Sequence, residues 1–291
     1  MTAKKAAAPA QGAALSKTTT ARKAAPKKTE AEAVPVEAIQ ESPAPKGVCI
    51  VIPYLDKSAA GDELRYAIRA WEKHLITKPT IVVIGDSKPW FGKDIRHIPH
   101  KAVSTNPQID VADKLATAIA SDLVDDLFIW TNDDIYPVGP VDYADLFVKK
   151  STGRIVDKGA AGGVYAENAN RTIKALQKAG ISRIMDYATH TPVAFDKISL
   201  ADTLAAFHCQ KEGHLISTLY FNTHYPDARP IITSNDQRGS IVASVWSTNP
   251  NQQILADIWD TRKFVNHDDR GYKACLPYLQ KLFGEKSSFE K

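Results

Sequence analysis

Apolar positions along this chain fall into short runs and helix-spaced repeats from residue 47 onward, and before it there is little apolar bulk beyond Ala. Gly47 to Leu55 (GVCIVIPYL) is a nearly continuous apolar run with Pro45 before it and Pro53 near its end, which predicts a buried first strand. Asp56 to Gly61 is a polar loop and Asp62 an expected helix N-cap. Leu64, Ile68, Trp71 and Leu75 then recur at helical spacing. Thr80 to Ile84 (TIVVI) predicts a second strand, closed by Gly85-Asp86. Strand, helix, strand in this order predicts a right-handed parallel unit. Ile95 to Ile98 predicts a short third strand, and Asn106 to Ser121 a helix with Ile109, Leu115 and Ile119 on its apolar face. Leu127 to Trp130 predicts a buried strand, after which Asn132-Asp133-Asp134 and then Pro137, Gly139 and Pro140 interrupt the apolar pattern.

Past Pro140 the periodicity loosens. Tyr143 to Lys149 reads as a short helix or strand, and Gly159 to Gly163 (GAAGG) as a flexible turn. Asn168 to Ala179, Leu200 to Gln210, His214 to Tyr220, Gln252 to Thr261 and Tyr272 to Phe283 read as helices. Ile231-Ile232 and Ile241 to Trp246 read as strands.

Residues 1–46 are mostly Ala, Lys, Pro, Thr and Glu with no aromatic residue, a composition that cannot bury enough surface to offset its ordering entropy. They predict a disordered tail ahead of one domain, residues 47–291. The chain holds 37 basic and 33 acidic residues, of which the tail takes eight Lys/Arg and four Glu; 37 less 8 and 33 less 4 leave 29 of each sign, so residues 47–291 are formally neutral. This argues against a basic nucleic-acid groove on the body. The first 28 residues carry positive charge only, which suits weak contact of the tail with nucleic acid or an anionic surface. A run long and apolar enough to span a membrane is not found, nor a secretory signal. Cys49, Cys209 and Cys275 are scattered and form no metal or disulfide spacing, so a reducing cytoplasm is the expected location.

In an open α/β sheet, ligands bind beyond the carboxyl ends of the strands. Asp56, Asp86 and Asp133-Asp134 are all expected on that edge. Asn-Asp-Asp after a strand is by itself an ordinary turn. Adjacent carboxylates at the mouth of a buried strand are nevertheless costly without a positive partner. A divalent cation that also holds a diphosphate is one such partner. His190, in the loop Thr189-His190-Thr191-Pro192, has the ordinary pKa of a general base. Asn266-His267-Asp268-Asp269 reads either as a second acidic contribution or as a helix N-cap. The histidines show no zinc spacing, and P-loop, Gly-x-Ser-x-Gly and dinucleotide fingerprints are not found.

Asp62 to Lys73 (DELRYAIRAWEK), Phe128 to Pro140 (FIWTNDDIYPVGP), His190-Thr191-Pro192, Asn266 to Asp269 and Phe283 to Glu290 (FGEKSSFE) follow one another in this order. Together they resemble the Stealth family of sugar-phosphate transferases, bacterial capsule enzymes related to the lysosomal GlcNAc-1-phosphotransferase. Ile52-Pro53-Tyr54-Leu55-Asp56 stands where the family carries Trp-Val-Asp-Gly, with Asp56 in place of its Asp, and Arg229 and Arg238 are the nearest arginines after the His-x-Pro element. The resemblance implies an α/β fold: a glycosyltransferase-A-like nucleotide-sugar core with a mixed, mainly parallel sheet and an elaborated C-terminal half. It further implies transfer of sugar-1-phosphate from a UDP-sugar to a hydroxyl of a glycan, polyol or protein, with Mg2+ or Mn2+ as cofactor. Asp133 and Asp134 would serve metal and diphosphate, Asp268 and Asp269 would add metal ligands, Asp56 and Asn132 would contact the donor, and His190 would be the base. The alternatives are a conventional glycosyltransferase releasing UDP, and an inactive binding module tethered by the basic tail. Arg65, on the DELRY helix, is expected to be structural.

Overall fold

The computed structural model describes residues 47–157, 159, 162–233 and 241–291. The expected tail, Ala160 and Ala161 of the expected turn, and Arg238 lie outside the described residues.

The first half alternates strands and helices as its apolar pattern predicts: β1 (Cys49–Tyr54), α1 (Glu63–His74), β2 (Thr80–Gly85), β3 (Ile95–Pro99), α2 (Pro107–Ile119) and β4 (Leu127–Trp130), then β5 (Ile135–Pro137). The rest comprises α3 (Tyr143–Phe147), β6 (Lys150–Ser151), β7 (Gly153–Arg154), α4 (Gly163–Lys178), β8 (Met185–Asp186), β9 (Val193–Asp196), α5 (Lys197–Ala206), α6 (Ile216–His224), β10 (Ile231–Ile232), β11 (Val242–Val245), α7 (Gln252–Thr261), β12 (Phe264–His267) and α8 (Asp269–Phe283).

The central sheet has the order β3-β2-β1-β4-β9. β1 runs parallel to β2 (Ile50 beside Ile81) and to β4 (Ile50 beside Ile129), and β2 parallel to β3. β9 alone is antiparallel, with Trp130 beside Val193. This is a mixed, mainly parallel sheet, and it places the carboxyl ends of β1, β2 and β4 on one edge. Both faces are covered, which is why the strands read as continuous rather than alternating apolar runs. On one face Val51, Val82 and Phe128 pack with Leu115 of α2, Leu200 of α5 and Leu219 of α6. On the other, Ile50, Ile52 and Val83 pack with Leu64, Ile68 and Trp71 of α1. Each of those three α1 side chains contributes about 1.5–3 kcal/mol by its burial.

A smaller sheet, β11-β12-β5, extends the site edge; β12 is parallel to β11 and antiparallel to β5. α8 and α1 enclose it, with Tyr66, Ala67, Tyr136, Val265 and Leu279 in one cluster. Gly271 lets α8 sit flush on this sheet: a Cβ there would lie 1.8 Å from the Val245 carbonyl oxygen.

Several local expectations change. Asp62 stands at the N-cap of α1 without a side-chain cap bond. α4 begins at Gly163 rather than Asn168, and α5 and α6 are offset from their expected ranges. Asn266 and His267 belong to a strand and are buried, the Asn266 amide donating to the His190 carbonyl and the Tyr136 hydroxyl to the His267 ring.

Candidate functional site

β4 delivers its carboxyl end to the sheet edge, where Thr131 is buried and Asn132, Asp133 and Asp134 are half-buried in the turn to β5. His190 arrives from the opposite chain direction, on the loop before antiparallel β9. Its Nε2 lies 3.0 Å from Asp134 Oδ1. The Thr189 and Thr191 hydroxyls bond each other at 2.6 Å on either side of it, and the Asn266 side-chain amide donates to the His190 carbonyl at 2.8 Å. His190 adopts φ +50, a conformation uncommon for a non-glycine residue and concentrated at functional sites. Its side chain keeps 34% of its surface, so it borders a cleft rather than the interior. With Nε2 turned to Asp134, Nδ1 has no hydrogen-bond partner among the described residues.

The electrostatics follow from crowding. Burial alone would depress the His190 imidazole, but the charge of Asp134, its hydrogen bond and the charge of Asp133 together hold it above its ordinary value. Burial, and then the charges of Asp134 and Glu63, push Asp133 well above the usual carboxylate range. Glu63, the first residue of α1, is pushed up to about 7 by burial, with the charges of Asp134 and Asp269 adding to this and the Ala60 N–H, at 2.8 Å, opposing it.

Behind the carboxylates lies a wholly buried His267. The Tyr136 hydroxyl donates to its Nε2 at 2.8 Å and its Nδ1 faces the Asp268 carbonyl at 3.1 Å, so the proton sits on Nδ1. Burial holds this ring below its ordinary pKa, hence neutral. Nδ1 also lies 4.0 Å from Glu63 Oε1, which joins the Tyr136–His267 pair to the acidic cluster.

The remaining expected residues are placed differently. Asp268 caps α8, accepting from the Arg270 and Gly271 amides and pairing with the Arg270 guanidinium. Asp269 is exposed in the first turn of α8, and its charge reaches Glu63. Asp56 sits at the end of β1, held by the Tyr54 hydroxyl at 2.8 Å and by the Lys88 ammonium, while its backbone amide donates to Asp86 at 2.8 Å. Lys88 and then Tyr54 hold the Asp56 carboxyl below its ordinary range. Arg65 pairs with Asp62 and Glu290 and lies over the Trp90 ring, a structural placement.

Glu63, Tyr136 and His267 lie within the quoted stretches, but the sequence assigns none of them a role of its own. Glu63 reads in the sequence as an acidic residue of a first helical turn, and only the packing of β12 against α1 reveals its burial. Among the described residues, no three His, Cys, Asp or Glu side chains already converge as a metal-holding group. Asp133, Asp134 and Glu63 nevertheless act on one another electrostatically, with His190 beside them.

No protein-family model matches the chain, and no curated protein matches it. The family resemblance therefore stays at the level of the quoted motifs. Among solved structures, the chain is similar to a glycosyltransferase involved in the glycosylation of the major capsid of PBCV-1 (TM-score 0.39, 10% identity, 76% of this chain and 93% of that one). It is also similar to the WbbM bifunctional glycosyltransferase in its apo form (TM-score 0.41, 12% identity, 77% of this chain and 46% of that one). At such values neither neighbour adds to what the site geometry itself carries.

Proposed function

We propose that this protein is a transferase that moves a sugar-1-phosphate from a nucleotide sugar, in first instance a UDP-sugar, to an acceptor hydroxyl. The observation that carries the reading is the Asp134–His190 pair at 3.0 Å, set beside Asp133 at the carboxyl edge of the parallel strands. A carboxylate on one ring nitrogen orients the imidazole and leaves the other to take a proton. In the proposed step His190 Nδ1 accepts the acceptor's hydroxyl proton. The acceptor oxygen bonds the phosphorus that bears the sugar, and the bond from that phosphorus to the bridging oxygen breaks. UMP leaves with the electron pair. Tyr54, Asp56 and Lys88 at the ends of β1 and β2 flank the path of the nucleotide, and Asn132 sits between donor and acceptor sides. A divalent cation, Mg2+ or Mn2+, would be held by Asp133 with Asp134 and would neutralise charge on the diphosphate.

The test is incubation of the full chain with a panel of UDP-sugars, Mg2+ or Mn2+ and hydroxyl acceptors, with identification of the nucleotide product. UMP supports the proposal. UDP would mean that the sugar–oxygen bond breaks instead, and the site is then that of a conventional glycosyltransferase. Asp133→Asn and His190→Ala are each expected to lower turnover about 10²–10⁴-fold. Wild-type protein that neither binds nor consumes any UDP-sugar with either metal overturns both.

A further inference from the structure

The cleft at His190 has two arms that share Asn132, Thr189 and His190. One, of about 170 Å³, is walled in part by Trp130, Phe195 and Ile216. The other is larger, about 740 Å³, and is walled differently, by Thr152, Asp186 and Trp246. Trp246 follows β11 directly and is 56% exposed; Tyr165 of α4, which borders both arms, is 41% exposed. Single exposed aromatic residues are common on protein surfaces. Trp246 differs in its position, because it shares one concavity with His190 and with a carboxylate wall.

Tyr54, Asp56 and Lys88, which flank the proposed nucleotide path, do not line the larger arm. Resting on the reading above, we propose that the larger arm is the acceptor subsite and takes a neutral saccharide, its ring stacked on Trp246 and its hydroxyls bonded to Asp186 and Thr152. The C–H face of a pyranose carries the weakly positive hydrogens that suit the negative face of an indole. A pocket of aromatic surface with a few placed polar groups is the usual form of a small-ligand site. Asp186 accepts the Ala188 amide through one oxygen at 3.0 Å and puts a negative charge on the wall. That charge also helps, after burial, to push the Tyr165 phenol up to about 12. A sugar hydroxyl can donate to such a wall, whereas a sugar phosphate is repelled by it.

The experiment is saturation-transfer NMR on the full chain, with the methyl glycosides of glucose, galactose and N-acetylglucosamine and with the corresponding 6-phosphates, followed by steady-state kinetics. A neutral glycoside should receive saturation from the wild type, Trp246→Ala should abolish it, and Trp246→Phe should restore much of it. In turnover, Trp246→Ala should raise acceptor KM about five- to tenfold while leaving donor KM unchanged. The proposal is overturned if no neutral glycoside receives saturation, if the 6-phosphates bind better, or if the substitution acts on donor KM instead. Saccharide binding that depends on Trp246 without any consumption of a UDP-sugar would sustain the subsite and sink the transferase reading. Turnover indifferent to Trp246 would do the reverse.

Discussion

Replacing Glu63 by glutamine removes a charge that the fold holds at a cost. The Glu63 side chain keeps 6% of its surface, and its carboxyl is pushed from 4.5 to about 7 by burial and by the charges of Asp134 and Asp269. Two and a half pKa units correspond to about 3 kcal/mol between the protonated and ionised forms. Between pH 4.5 and 7 the native chain keeps a proton that the unfolded chain has released, so stability falls as pH rises, by about 1.4 kcal/mol per unit. Above pH 7 the full penalty is present. Glutamine can still accept the Ala60 amide but loses the stronger, charge-assisted bond, at about 1 kcal/mol. The expected balance is a Glu63→Gln protein about 2 kcal/mol more stable than wild type at pH 8 and no more stable than wild type near pH 4.5. Urea unfolding followed by tryptophan fluorescence across this range, with a chelator present, measures the difference. A difference that stays constant with pH, or one that favours wild type at pH 8, would show that Glu63 is not held against its charge and would refute the reasoning.

Asp134→Asn should move the acidic limb of the kcat/KM profile downward. In the wild type the carboxylate holds His190 above its ordinary value, so the neutral base appears only above about pH 6.5. The stability this pairing confers is complete below that pH and fades as pH rises through the raised pKa; a pH–rate profile and pH-dependent unfolding check the two together. Arg69→Ala should lower Tm by roughly 6–12 °C, from a loss of about 3 kcal/mol. Arg69 clasps Glu290 through Nε at 2.6 Å and Nη2 at 2.8 Å and also donates to the Phe283 and Gly284 carbonyls; without it the carboxylate keeps Arg65 and the Ser287 amide and hydroxyl. Tyr136→Phe should destabilise by about 1–3 kcal/mol in urea unfolding, because it leaves His267 Nε2 without a donor in a site that water does not reach.

The parts of this fold that the sequence announces are those whose burial is complete and local. β1, β2 and β4 show as continuous apolar runs because both faces of the sheet are covered, and α1 shows because Leu64, Ile68 and Trp71 line one stripe. β5 is hidden by Pro137, which a central strand would not tolerate; β5 is the edge strand of its sheet, where a proline is admissible. β12 is hidden because half its residues are polar, and Asn266 and His267 are buried only by virtue of the distant His190 and Tyr136. β9 is too short for its period to register beside Thr191-Pro192. The same division holds for the site. Asn132 to Asp134 and His190 stand out as polar residues at the ends of an apolar run and of a loop, and the structure brings Asp134 and His190 together. Glu63 does not stand out, since its surroundings come from β12 and α8 at the far end of the chain, and Asp268 stands out for a reason that turns out to be helix capping.

The reversal of β9 separates two jobs along the chain. Asp134 follows β4 and His190 precedes β9, and these two strands are hydrogen-bonded partners through Leu127 to Trp130 and Val193 to Asp196. One rung pattern therefore fixes the spacing of carboxylate and imidazole, whatever the path between them. That path, residues 138–186, carries Thr152, Tyr165 and Asp186 to the cleft wall. Substitutions at Thr152 and Tyr165 on that path are therefore expected to change which molecule the cleft admits, while the ladder keeps the reacting groups in place.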